Sequence, residues 1–194
     1  ALEVGLGASI AGGRALVTMK HVGVNVAADP LFTSAYTGVN AGCVVVTADD
    51  PSMHSSQNEQ DNRHYAVAAK LPMFEPSTPA EARAFTRAAF ELSERYDTPC
   101  FLRTTTRLSH SKGVVPDVDL TVTPAKHPVR VEQNPAKYVM IPGHARGRRV
   151  DLEARLEELR RVVETHPANV VERRGPVGVI TSGVPYSYVR EVLP

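Results

Sequence analysis

The sequence has no tryptophan, only two cysteines and no long apolar run, and each scarcity narrows the field. Cys43 and Cys100 sit singly inside the apolar stretches GCVVV and PCFL. Two isolated, buried thiols make neither a disulfide framework nor a zinc or iron–sulfur site. No stretch approaches the roughly 20 apolar residues of a membrane-spanning helix. The opening residues ALEVGLGASIAGGR lack the basic-then-apolar build of a secretory leader. Neither charge sign is in excess, since 22 Lys and Arg face 21 Asp and Glu, and the drive for nucleic-acid binding is missing. The expectation is a reducing, cytoplasmic setting with no nucleic-acid and no membrane partner. What is present suits an ordinary core: 42% of the 194 residues are hydrophobic and 22% charged, about one domain or a domain with part of a second.

Strand-like and helix-like segments alternate along the chain. Residues 1–12, rich in Ala and Gly, predict a closely packed helix, Arg14 to Met19 a short apolar strand, and Asn25 to Val39 a helix. Cys43 to Thr47 is β-branched without polar alternation, the mark of a strand buried on both faces. Gln57 to Lys70 reads as a helix and Pro72 to Phe74 as a short strand. Thr78 to Tyr96 is the clearest element: Thr78 suits an N-cap, Pro79 the first helical position and Glu81 a capping box. Phe85, Ala89, Leu92 and Tyr96 then share one helical stripe, and Cys100 to Thr104 is a further strand. This rhythm predicts an α/β fold, a parallel sheet with helices on both faces.

After Gly113 the texture changes. Residues 114–149 carry five prolines and little periodicity, and read as an ordered crossover that leaves a first domain of residues 1–113. Residues 150–194 then predict a helix over Asp151 to Glu164 with Leu152, Leu156, Leu159 and Val163 inward. Asp151–Arg155 and Glu157–Arg161 form i,i+4 pairs on its outside. Val177 to Thr181 reads as a strand, Ser182-Gly183 as a turn and Tyr186 to Leu193 as a helix. That is a single βα unit, too little to bury a core of its own, so a truncated second domain is expected.

Ligands of open parallel sheets bind beyond the carboxyl ends of the strands, so the segment after each strand is the place to look. Three such segments are unusually polar: Lys20-His21-Val22-Gly23 leading to Asn25, Asp49 to Gln57 continuing to Arg63, and Arg103 to Ser111. Taken singly, each has a plain structural role, with Asn25, Ser52, Ser55 and Ser56 as helix caps and the acids near a helix N-terminus. Together they suggest one shared site. Other signals are weaker. Gly5, Gly7 and Gly12 lack the preceding strand of a dinucleotide fingerprint, Asp49-Asp50 offers too few ligands for a metal, and there is no HExxH or GxSxG. Arg146, Arg148 and Arg149 form a basic knot without interleaved aromatics, expected at an interdomain or subunit contact.

The runs VTMKHVGVNVAADPL, VVVTADDPSMHSSQNEQDNRHYA and LRTTTRLSHSKG, with KYVMIPGHARGRR and VGVITSGVPYSYVREVL further on, resemble one family. It is the thiamine-diphosphate-dependent 2-oxoacid:ferredoxin oxidoreductases, in particular their indolepyruvate-type large subunits. The resemblance covers nearly the whole chain. It implies that residues 1 to about 113 are most of a pyrimidine-binding domain and that the later segment opens a transketolase-C-terminal-like α/β domain. It implies thiamine diphosphate with Mg2+ and [4Fe-4S] clusters in the parent enzyme. Ferredoxin, coenzyme A, a 2-oxoacid substrate and a smaller (beta) subunit would be its partners. On this reading His21, Asn25, His54, Ser55, Gln57 and Gln60 contact the thiamine pyrimidine or substrate, and Lys20, His21 or Arg107 grips the substrate carboxylate. The glutamate that activates the cofactor would lie upstream of Ala1. The diphosphate–magnesium domain and the cluster cysteines are likewise outside these residues, so the segment by itself is expected to be inactive and to bind none of these cofactors alone. Asp49-Asp50 stands about where pyruvate-using relatives place an arginine, which favours arylpyruvates. A pyruvate or other 2-oxoacid enzyme, and a non-catalytic α/β assembly module, are the alternatives.

Overall fold

The structure, a computed structural model, describes residues 1–115, 131, 133–173 and 175–193. Four parallel strands form one sheet in the order β1-β2-β4-β3. They are β1 (Ala15–Lys20), β2 (Cys43–Asp49), β3 (Met73–Phe74) and β4 (Cys100–Thr105). Nine helices accompany them among the described residues: α1 (Leu2–Ile10), α2 (His21–Val26), α3 (Ala28–Thr37), α4 (Asn62–Ala69), α5 (Pro79–Arg95), α6 (Thr106–His110), α7 (Pro135–Tyr138), α8 (Pro142–Thr165) and α9 (Val184–Val192). The α/β fold read from the alternation is the one observed.

The two-residue period of the central strands builds two cores. On one face Cys43 and Val45 of β2 and Phe101 of β4 pack with Leu2, Leu6, Val24, Leu31 and Ala66 from α1 to α4. On the other, Val44, Cys100 and Leu102 pack with Ala89 and Leu92 of α5. Helix α5 begins as its sequence dictates: Thr78 accepts a bond from the Glu81 amide at 3.1 Å, and Pro79 opens the first turn. The reciprocal half of the capping box falls one residue early, because Glu81 accepts from the amide and hydroxyl of Ser77 rather than from the Thr78 amide.

Several boundaries depart from expectation. The helix expected over Asn25 to Val39 is two, α2 and α3, and α2 starts at His21 directly behind β1. Helix α4 starts at Asn62, not Gln57, because Asp61 is the residue whose carboxylate caps the Arg63 amide. Residues 116–130 and 132 of the expected crossover lie outside the described residues. The end of the crossover is helical, so that α8 begins at Pro142, ten residues before the apolar stripe starts at Leu152. Residues 177–181 form no strand, since no other strand among the described residues offers them a ladder.

Helix α8 is docked on the sheet by both cores, with Leu152 in the first and Leu159 in the second. It passes the loops that precede β2, β3 and β4. Arg148 donates to the carbonyl oxygens of Tyr36 (2.7 Å) and Thr37 (3.4 Å), and Arg155 to that of Ala35 at 2.9 Å. These are the orphan carbonyls at the end of α3, so two guanidiniums act as its C-cap. Arg155 is thus buried, and burial lowers its pKa, where an exposed pair with Asp151 was expected. The surface pairs are instead Arg148–Asp151, Arg149–Glu153 and Arg160–Glu157. Of the basic knot, Arg148 and Arg149 serve contacts inside the chain: Arg149 donates to the Tyr36 hydroxyl at 3.0 Å. Truncating Leu152 to Ala removes a side chain with 1% exposure and is expected to cost about 3 kcal/mol. Val163→Ala, at 45% exposure, should stay within about 0.5 kcal/mol. Urea unfolding of the two variants checks this, and equal midpoints would show that α8 does not share the sheet's core.

Candidate functional site

The three polar segments converge at the carboxyl ends of β1, β2 and β4. Two of them are not loops. Lys20 ends β1 and His21 opens α2, while Thr105 ends β4 and Thr106 opens α6, so each strand runs straight into a helix. The segment after β2, residues 50–61, is a loop, and the other two close on it. His21 is fully buried, with Nε2 3.2 Å from the carbonyl oxygen of Asn58. Lys20 donates through Nζ to the carbonyl oxygen of Ser55. Asn25 donates to the Tyr65 hydroxyl, across to α4. From the far side, Thr106 Oγ1 donates to Asp50 Oδ1 at 2.7 Å. The histidine and glutamine segments therefore share one edge, as a common site requires.

The remaining expected residues fall on or beside this rim. Gln60 donates to Asn58 Oδ1 at 2.9 Å, and its Oε1 is buried without a hydrogen-bond partner. His54, Ser55 and Gln57 are exposed. The His54 and Ser55 amides donate to Asp50 at 3.3 and 2.7 Å, which fixes their backbone and leaves their side chains outward. Arg107 turns away toward the C-terminal helix, its guanidinium 5.6 Å from the centre of the Tyr188 ring. Asn25 lies inside α2 and does not cap a helix.

Beneath the rim lies a polar network that strand and loop patterns alone do not reveal. Arg103, 5% exposed, donates from Nε to Asp49 Oδ2 at 2.7 Å. The same guanidinium pairs with Glu75 behind β3 and lies 3.7 Å from Asp61 Oδ1 at the start of α4. Asp49, 1% exposed, also accepts from the Asn62 amide at 3.0 Å, and the Asn62 side chain donates to Thr47 and Asp49. The available signal was an arginine inside the buried strand CFLRTT, which demands a carboxylate beside it. The parallel register sets Arg103 opposite Thr47, two residues from Asp49. Asp50 is the second carboxylate of the pair. Hydrogen bonds from the Ser56 hydroxyl, the Thr106 hydroxyl and the Ser55 amide hold its pKa well below the usual carboxylate range.

Neither thiol joins this chemistry. Cys43 and Cys100 face opposite cores, and burial pushes Cys43 up to about 11 and Cys100 higher still, so both stay protonated. Among the described residues no three His, Cys, Asp or Glu side chains come together as a metal site, and no helix is long and apolar enough to cross a membrane.

Replacing Arg103 by Met leaves Asp49 charged and buried, and is expected to cost about 3–5 kcal/mol. Asp49→Asn combined with it should cost clearly less than the two single changes summed, as chemical denaturation of the four-member cycle will show. The Asp61 carboxyl is held at about 2, first by the Arg63 side chain. Its folded pKa is depressed, so its contribution is whole above about pH 4 and is lost as pH falls toward 2. Asp61→Ala should therefore cost about 1 kcal/mol at neutral pH through the lost N-cap, with the difference from wild type closing between pH 4 and 2 in acid-unfolding curves.

No family model matches the chain. Indolepyruvate oxidoreductase subunit IorA of Archaeoglobus fulgidus is 52% identical over 196 residues, which cover all of this chain and 31% of that protein. The subunits of the same name from Methanothermobacter marburgensis and Pyrococcus horikoshii are 47% and 45% identical, again over the whole chain and 31% of their own length. Among solved structures, a 2-oxoglutarate:ferredoxin oxidoreductase from Magnetococcus marinus, with 2-oxoglutarate, coenzyme A and succinyl-CoA bound, superposes with a TM-score of 0.69. That match covers 99% of this chain and 41% of the other at 15% identity, and speaks for the fold. The chain is thus homologous, from end to end, to a segment just under a third the length of the archaeal indolepyruvate oxidoreductase subunits, and it has the fold of the 2-oxoacid:ferredoxin oxidoreductases.

Proposed function

We propose that this chain is part of an indolepyruvate-type 2-oxoacid:ferredoxin oxidoreductase, which oxidatively decarboxylates arylpyruvates to acyl-CoA and passes the electrons to ferredoxin. The observation that carries the reading is identity of 42–52% along the entire chain to subunits of that name. Residues 1–113 form the side that faces the aminopyrimidine of thiamine diphosphate. The cofactor, when bound, supplies the ring that stabilises the carbanion left by decarboxylation. Its diphosphate with Mg2+, the [4Fe-4S] clusters and the smaller subunit belong to other parts of the assembly.

The unpartnered polar atoms at and beneath the rim fit that half of the cofactor. His21 Nδ1, Gln60 Oε1 and Asn62 Oδ1 are buried and lack hydrogen-bond partners. One is a donor or acceptor according to tautomer and two are acceptors, which suits an amino-substituted nitrogen heterocycle. Asn25, His54, Ser55 and Gln57 border them at the surface. Lys20 spends one of its three donors on Ser55, and the others can take a substrate carboxylate, with Arg107 as the second candidate. Asp49 and Asp50, which stand about where the resemblance puts an arginine in pyruvate-using relatives, are both consumed by internal bonds.

The complete oxidoreductase, assayed with indolepyruvate, phenylpyruvate and pyruvate by product analysis, is expected to show a kcat/KM at least about tenfold higher for the two aromatic substrates. A preference for pyruvate would overturn the substrate assignment.

A further inference from the structure

The loop after β2 is strained in a way its composition does not explain. Ser52 and Met53 are consecutive non-glycine residues with φ of 67° and 54°, in the left-handed region that side chains disfavour. Such a conformation persists only where the surroundings over-determine it, and it collects at ligand-binding segments. Here the surroundings are chiefly one side chain. Asp50, 3% exposed, accepts from the His54 amide (3.3 Å), the Ser55 amide (2.7 Å) and the Ser56 hydroxyl (2.6 Å), all within the loop. It also accepts from the Thr106 hydroxyl at 2.7 Å, and Thr106 donates to the Asp49 carbonyl oxygen at 3.2 Å. Two further bonds close the loop: the Ser52 amide on Glu59 at 2.9 Å, and Lys20 on the Ser55 carbonyl. The Asp50 carboxylate is therefore the point where the segments after β2 and β4 are tied, and Lys20 ties the segment after β1 to the same loop.

We propose that Asp50 is a positioning residue for the ligand-facing rim: its carboxylate holds residues 51–56 in their strained path and so sets where His54, Ser55 and Lys20 stand. The proposal rests on the reading of this edge as the thiamine and 2-oxoacid site. Both carboxylate oxygens must accept, since each serves one backbone amide and one hydroxyl. An asparagine keeps the shape but turns an amide donor toward one of the two backbone N–H groups. Loss of the charge thus loosens the loop without removing volume from the core.

The test uses the complete oxidoreductase carrying Asp50→Asn, Thr106→Val or Ser56→Ala. Three quantities are read: thiamine diphosphate affinity by calorimetry, KM and kcat for indolepyruvate, and hydrogen exchange of the 52–56 amides. Asp50→Asn is expected to speed exchange at Ser55 at least tenfold, to weaken thiamine diphosphate or raise KM by about tenfold, and to change kcat less at saturation. Thr106→Val, which cuts only the tie to α6, should give the same pattern more weakly. It and Ser56→Ala, one hydroxyl each, carry the test if Asp50→Asn does not fold. Faster exchange in the loop with unchanged cofactor affinity and KM would overturn the positioning role. Unchanged exchange would overturn the clamp itself. Wild-type protein that binds no thiamine diphosphate would instead defeat the functional reading, while the exchange data would still judge the clamp.

Discussion

A single buried guanidinium organises the working edge of this protein. Arg103 sits inside β4, directly after the core residues Cys100, Phe101 and Leu102, and taking its charge out of water is costly unless carboxylates come with it. They come from three places: Asp49 at the end of β2, Glu75 just beyond β3, and Asp61 at the cap of α4. To satisfy one arginine the chain must therefore bring the carboxyl ends of three strands and the start of a helix to one point. Asn62 completes the arrangement, joining its backbone amide and side chain to Asp49 and fixing where the loop after β2 must end. Glu75 extends the network outward to the Ser182 hydroxyl at 2.6 Å, tying the segment before α9 to the same charge centre.

The opposite edge is closed by the same chemistry used differently. There α8 lays two arginines across the last carbonyls of α3, while Asp97 accepts from Lys137 at 2.8 Å and from the Val39 amide at 2.8 Å. Gly38 turns at a φ of 67° against Asp97, leaving no room for a side chain. A helix of 24 residues, about 36 Å long, spans that edge and contributes to both cores. With the amino-terminal edge occupied by a helix, the carboxyl-terminal edge is the face left for a ligand, as the topology of open parallel sheets leads one to expect.

What the sequence made legible follows from local rules. Helix α5 has a cap, a proline in its first turn and a clean apolar stripe, and β2 and β4 are apolar on both faces, so each is decided by its own residues. The rest depended on partners that sequence spacing does not carry. Arg155 stands at an ideal surface spacing from Asp151, yet the unsatisfied carbonyl of Ala35, 120 residues away, draws it inward. Residues 177–181 have strand composition, but a strand exists only through its neighbour's ladder. The start of α8 was obscured because its first turns rest on Tyr36 and Thr37 through arginines rather than through an apolar stripe. At the rim the polar character of all three segments was plain. The division of labour was not: Asp49 and Asp50 read as acids near a helix N-terminus, and the structure uses them to hold an arginine and backbone amides.

That division bears on where a ligand belongs without any appeal to relatives. At the α8 edge charges meet charges or carbonyl groups, and the bonds close within the chain. At the rim, three buried polar atoms, His21 Nδ1, Gln60 Oε1 and Asn62 Oδ1, have no partner. Each such atom costs about 1–3 kcal/mol against a folded state worth only about 5–15 kcal/mol in all. His21 Nδ1 and Gln60 Oε1 belong to the segments that meet at the strained loop, and Asn62 Oδ1 to the network beneath it. Strain and unmet bonds are both costs to the fold, and a polar ligand bound at this edge, the one the sheet topology leaves open, would lower the second.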